Sequence, residues 1–175
     1  MKKLLFILFS FVLFTSSTLV VSDQSEEASA RIKTIYIYNF TKYIEWPDGY
    51  NKGNFVIGYL GSSNVIFNEL VKMAEKKKTI GSQIIEIQNM SSADEAAKCN
   101  IIYIATDNSS KLSEVLGKVK STLIVTDKEG LAKKGAGINF VVMDNKQKIE
   151  LNLSNIEKYK LKVSTTLLDM AVQVK

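Results

Sequence analysis

Hydrophobic and polar positions along the chain alternate between a helical period and short strand-like runs, and the longest helical pattern comes first. From Arg31 to Gly49 the sequence reads RIKTIYIYNFTKYIEWPDG. At about 100° per residue, Ile32, Ile35, Tyr36, Asn39, Phe40 and Tyr43 share one face with Ile44 beside it, while Thr34, Thr41 and Glu45 lie opposite. This predicts an amphipathic helix ending just before Trp46-Pro47, because the residue ahead of a proline is pushed out of the α region. Ile35 and Ile37 alternating with Tyr36 and Tyr38 also fit a strand, but the length of the unbroken pattern favours the helix. Its aromatic residues read first as core. Tyr38 is the exception, a large aromatic outside the main apolar arc and so a candidate anchor for a partner, together with Trp46 and Pro47 at the helix exit.

Downstream, Phe55 to Leu60 predicts a strand closed by Gly61-Ser62-Ser63. A helix follows with the stripe Val65, Phe67, Leu70, Val71 and Ala74, ending in Lys76 to Lys78. Ile84 to Ile87 is a second strand, and Ser91-Ser92 start a short helix through Lys98. Asn100 to Ala105 and Thr122 to Val125 are continuous apolar runs of the kind buried on both faces of a parallel sheet. Between them Ser109 or Ser110 caps a helix carrying Leu112, Val115, Leu116 and Val119. Repeated β-α units of this kind give a mostly parallel sheet with helices on both faces.

The pattern then changes. Leu131 to Lys134 is one helical turn closed by Gly135-Ala136-Gly137, a turn requiring positive φ. Ile138 to Met143 and Lys148 to Leu153 form a hairpin through Asp144-Asn145-Lys146-Gln147, which makes the sheet mixed at this end. Ser154 and Asn155 cap a short helix through Tyr159, and Ser164 caps a closing helix with the stripe Val163, Leu167, Met170, Ala171 and Val174. The expected fold class is therefore α/β: a mixed, mostly parallel sheet flanked by helices, with a C-terminal β-hairpin and a closing helix.

The beginning of the chain changes the cellular picture. Lys2 and Lys3, the apolar run Leu4 to Phe14 and the small-residue site Val20-Val21-Ser22 read as a secretory signal peptide over residues 1–22. The apolar run is about half the roughly 20 residues a membrane span needs. The mature chain is expected to begin near Asp23, with an acidic, Ser-rich flexible lead over 23–29 and one α/β domain over 30–175. Removing Lys2 and Lys3 takes the formal charge from +5 to +3, so Lys76-Lys77-Lys78 and Lys133-Lys134 read as solvated runs and nucleic acid is not expected as a partner.

Residue counts narrow the chemistry. The sequence holds no histidine, which excludes Ser-His-Asp and Cys-His arrangements and leaves no imidazole for zinc. Cys99, the single cysteine, reads as a small buried hydrophobe. No catalytic residue, metal ligand set or cofactor motif is expected; G-x-G-x-x-G and G-x-x-x-x-G-K-[ST] are both absent. Three turns follow the carboxyl ends of the expected parallel strands, and such turns gather at one edge of an open α/β sheet. They nominate Gly61, Ser62, Ser63, Asp107 and Asp127 as a small-ligand crevice, the first turn offering backbone N–H groups to an anion. A hydrolase using Asp107 and Asp127 is the weakest reading, because no spacing pairs an acid with a base.

The string IYIYNFTKYIEWP, the strand ending in Leu60-Gly61, then CNIIYI, LIVTD, GAGINF and LKVSTTLLDMA together resemble the YfiR-like family of exported proteins. The markers keep the family's order over nearly the whole mature chain. The resemblance implies a periplasmic, non-enzymatic regulator, often dimeric, that represses a membrane-bound diguanylate cyclase by contacting its periplasmic sensor region; a histidine kinase is the other candidate partner. It also implies a family disulfide of which Cys99 matches one half. The other half is absent here.

Overall fold

A computed structural model describes residues 18–175; the expected signal peptide lies, up to residue 17, outside the described residues. Helix α1 runs from Thr18 to Tyr43, so Asp23 to Ser29, expected as a flexible lead, form part of it. It gives way to the two-residue strand β1, Ile44–Glu45, and then to Trp46-Pro47. The helix thus ends earlier than its apolar pattern suggests. Ile44 and Glu45 are held extended by antiparallel pairing with Val163 and Lys162, which the sequence around them gives no sign of.

The sheet is built next. β2 (Phe55–Leu60) is followed by α2 (Asn64–Lys77), β3 (Thr79–Ile80) and β4 (Gln83–Asn89). A 3-10 segment, Ala93–Lys98, leads into β5 (Ile101–Ile104); a second one, Thr106–Lys111, opens α3 (Leu112–Leu116); and β6 spans Leu123–Thr126. After a 3-10 turn at Ala132–Lys134 come β7 (Ile138–Met143), β8 (Lys146–Leu151), α4 (Leu153–Glu157), β9 (Lys162–Val163), α5 (Thr165–Met170) and β10 (Val172–Gln173). The strand order is β10-β8-β7-β6-β5-β2-β4-β3. β4, β2, β5, β6 and β7 run parallel, while the β7–β8 and β3–β4 pairs are antiparallel. The α/β class, the mixed and mostly parallel sheet and the flanking helices all match the expectation from sequence.

Several details are corrected by the packing. β8 begins at Lys146, so the hairpin loop is the pair Asp144-Asn145, both with positive φ (51° and 55°) as a tight two-residue turn demands. Asn152, not Ser154 or Asn155, caps α4: its side chain accepts from the Asn155 N–H. The helix expected after Ser109 is a 3-10 segment and five α residues, without a side-chain cap. Ser164 does cap α5, but that helix stops at Met170, which is exposed, and the chain ends in β10 parallel to β8. Gly135 has the expected positive φ of 122°, whereas Gly137 is small because a Cβ there would stand 2.7 Å from Ile156.

The buried face of α1 differs most from its wheel. Ala30, Thr34, Ile37 and Phe40 are buried, with Thr34 only 4% exposed, while Ile32 and Ile35 are 42% and 61% exposed. One flank of the helix rests on the sheet through Phe40, Tyr36 and Phe140, and the other packs on α2. The inward face is set between these two supports, not by the centre of the apolar arc. Beneath α1 the core continues through Tyr59 and Tyr103 on adjacent strands, their rings stacked with centroids 5.9 Å apart.

Candidate functional site

Because β4 pairs on one side of β2 and β5 on the other, the chain reverses its direction of winding between β2 and β5. At such a reversal the connecting segments diverge and leave a crevice outside the carboxyl ends of the strands. The turn Gly61-Ser62-Ser63 leaves β2 here, Thr106-Asp107 leaves β5 and Asp127 follows β6. The first turns of α1 close the opening from above, since the Ser63 hydroxyl donates to Glu26 at 3.1 Å. A cavity of about 280 Å3 results, and Ser63, Asp107 and Asp127 line it with Glu26, Lys33, Tyr59, Tyr103 and Thr106.

Asp127 is the hub. It accepts a 2.8 Å hydrogen bond from Lys33 Nζ, one from the Tyr103 hydroxyl and one of 2.8 Å from Thr106 Oγ1. The Lys33 and Asp127 side chains are 17% and 11% exposed, so this ion pair is largely shielded from water. Burial, and then the Asp127 charge, push the Tyr103 hydroxyl well above its ordinary pKa. Tyr59, buried and facing Asp107 and Asp127, is pushed up to about 12 and donates to the Ser63 carbonyl at 2.7 Å. Both tyrosines are therefore neutral donors near pH 7.

The first turn is not an open anion site. The Ser62 N–H donates to Asp107 Oδ2 at 2.8 Å, and the Val65 N–H is taken by Ser63 Oγ, so the donors expected for a ligand serve the fold. Hydrogen bonds from Ser62 hold the Asp107 carboxyl below the usual carboxylate range. Gly61 has a packing reason to be glycine: a Cβ would come within 2.4 Å of the Tyr59 hydroxyl oxygen. With Glu26, Asp107 and Asp127 against Lys33, the lining carries more negative than positive charge.

Lys33, Tyr59, Tyr103, Thr106 and Glu26 were not singled out by sequence reasoning. The available signal was Lys33 itself, three residues after Ala30 and four before Ile37, a cation within the buried stripe. Tyr59 and Tyr103 each sit near the end of an apolar strand, where a polar tip can reach the crevice.

The residues nominated as partner anchors lie elsewhere. Tyr38 is half-buried, with Lys42 Nζ 4.9 Å and the α2 residue Lys77 Nζ 5.0 Å from its ring centre. Trp46 packs edge-on against Phe55 at 5.0 Å and donates from Nε1 to the Asn100 carbonyl at 3.2 Å, which places it at the amino ends of β2 and β5. The Pro47 carbonyl accepts from Tyr50 in the turn that follows. Cys99 is buried and free, its Sγ 3.8 Å from Met90 Sδ, and burial pushes the thiol up to about 11.

The fold and crevice define a doubly wound α/β protein with a closed, charge-paired switch point. The chain belongs to the YfiR/HmsC-like family, whose model matches residues 30–172. YfiR-like proteins are periplasmic, and the family is regulatory. No curated protein matches. Among solved structures, a conserved domain protein from Vibrio cholerae O1 biovar eltor is 11% identical with a TM-score of 0.49. The ABC domain in complex with L-Trp from Streptococcus pneumonia is 16% identical with a TM-score of 0.46. Each match covers 69% of this chain, which spans 55% of either structure's length.

Proposed function

We propose that the protein is an exported, non-enzymatic regulator that binds the periplasmic sensor region of a membrane-bound diguanylate cyclase and represses it. The observation that carries this reading is the family match over residues 30–172, which takes in both sheets as far as the first residue of β10. The crevice is compatible with it: Asp107 and Asp127 both hold internal donors that tie the turns and α1 together. Tyr38, Trp46 and Pro47 are the proposed contacts to the sensor region or to a second copy in a homodimer. Expression of the chain beside a candidate cyclase, with cyclic di-GMP measured, tests the proposal. Repression that persists after Tyr38→Ala and Trp46→Ala in folded protein removes these residues from the interface, and a cyclase indifferent to the chain, with no membrane sensor recovered by cross-linking in the periplasm, sinks the regulatory reading.

A second reading rests on the 280 Å3 cavity at the switch point, lined by one cation, three carboxylates and two tyrosine hydroxyls. Here the protein binds a small cationic or zwitterionic ligand through Asp107, Asp127 and Ser63. Calorimetric titration with such compounds on wild type and Asp107→Asn discriminates: heats that do not depend on Asp107 exclude the crevice.

A further inference from the structure

The face of α1 turned away from the sheet meets α2 in a groove of about 520 Å3 lined by Arg31, Thr34, Ile35, Lys72, Lys76 and Lys77, with Glu69 and Met73 in its floor and wall. Four cations line it; the Glu69 carboxylate is shared by Lys72 at 2.6 Å and Arg31 at 3.6 Å, and Arg31 also pairs with Glu27 at 3.7 Å. Lys76 makes no ion pair among the described residues. Ile35, which lines the groove, and Ile32, one turn of α1 earlier, stand 61% and 42% exposed.

We infer that this groove docks the protein on a bilayer surface rich in anionic phospholipid. Phosphate oxygens meet the Lys72, Lys76 and Lys77 ammonium groups, while Ile32 and Ile35 enter the headgroup and acyl boundary. Cations beside exposed aliphatic residues on a helical face are the composition that suits such an interface. An acidic helix seated in the groove is less well matched, because Ile35 and Met73 are its only large apolar lining residues and a docked helix needs an apolar stripe to pack against. Docking here lays α1 and α2 along the membrane. It does not depend on which signalling protein the chain regulates, and its failure leaves the regulatory proposal standing.

Co-sedimentation of the exported protein with vesicles of phosphatidylglycerol and phosphatidylcholine, against phosphatidylcholine alone, tests the inference. Binding to the anionic vesicles is expected to weaken as salt rises. Lys76→Gln with Lys77→Gln should lower the partition coefficient roughly 25-fold, about fivefold for each cation lost near a charged surface. Equal binding to neutral vesicles, or full binding by the lysine variant, overturns the assignment. So does indifference to both vesicles with variant-sensitive binding of polyglutamate, which would make the occupant an acidic protein segment.

Discussion

Lys33 on α1 and Asp127 after β6 are joined at 2.8 Å across the carboxyl end of the sheet, with both side chains largely withdrawn from water. This pair ties the long helix to the switch point. Asp127 also receives the Tyr103 and Thr106 hydroxyls; its removal leaves Lys33 and the Tyr103 hydroxyl unpaired, while Thr106 keeps the Asp127 backbone carbonyl at 3.0 Å. Asp127→Ala is expected to destabilise the fold by about 3 to 5 kcal/mol, the cost of breaking a buried pair from one side. Lys33→Met should cost less, because Asp127 keeps two hydroxyl donors. Urea denaturation of both variants checks the order.

Gly58 sits where β2 passes Met90 and Cys99; a Cβ added there would stand 2.5 Å from Met90 Sδ and 2.6 Å from Cys99 Sγ. Gly58→Ala is expected to cost about 1 to 3 kcal/mol by overpacking. Cys99→Ala in the same chain vacates part of that space. A double-mutant cycle by chemical denaturation should therefore show the pair less destabilised than the sum of the single changes.

Cys99 also makes alkaline stability titratable. Its folded pKa is raised from 9.0 to about 11, so the unfolded chain releases the thiol proton first as pH rises. The contribution is fully present below pH 9 and is lost progressively between 9 and 11. Denaturation midpoints measured across that window should fall, and fall less steeply in Cys99→Ala. At pH 8 the native thiol should react with a disulfide reagent far more slowly than in denaturant.

Phe40 is fully buried and stacks on Phe140 with ring centroids 6.2 Å apart. Phe40→Ala should destabilise the protein by about 3 to 5 kcal/mol. Tyr38→Ala, at a half-buried position beneath two lysines, should cost less stability while lowering partner binding or dimerisation by about 2 kcal/mol. Thermal unfolding beside sedimentation separates these effects. If both variants melt alike and binding follows only the folded fraction, Tyr38 is core.

Removing the Ser164 cap is the local control. Its Oγ accepts from the Leu167 N–H at 3.3 Å, and Ser164→Ala should cost about 1 kcal/mol through α5 alone. Hydrogen exchange confined to residues 165–170 and their β10 neighbour checks that the effect stays local.

The sequence by itself determined the class of fold, because each apolar run of the parallel strands and each Ser-led helix start is a local signal. Phe55–Leu60, Ile101–Ile104 and Leu123–Thr126 lie where their continuous hydrophobicity placed them, and Ser92 and Ser164 begin the segments they were expected to begin. It also gathered Ser63, Asp107 and Asp127 at one edge, since in a parallel sheet the turns after the strands share an end. Tertiary structure decided what those local signals do not encode. Which side of α1 faces inward depends on two supports far along the chain, and so Thr34 is buried while Ile35 is exposed. β1 and β10 are two-residue strands that exist only through partners at Val163 and Glu150. The Lys33–Asp127 pair spans 94 residues, and no periodicity within a window of sequence can report a contact made by the folding of the sheet between them.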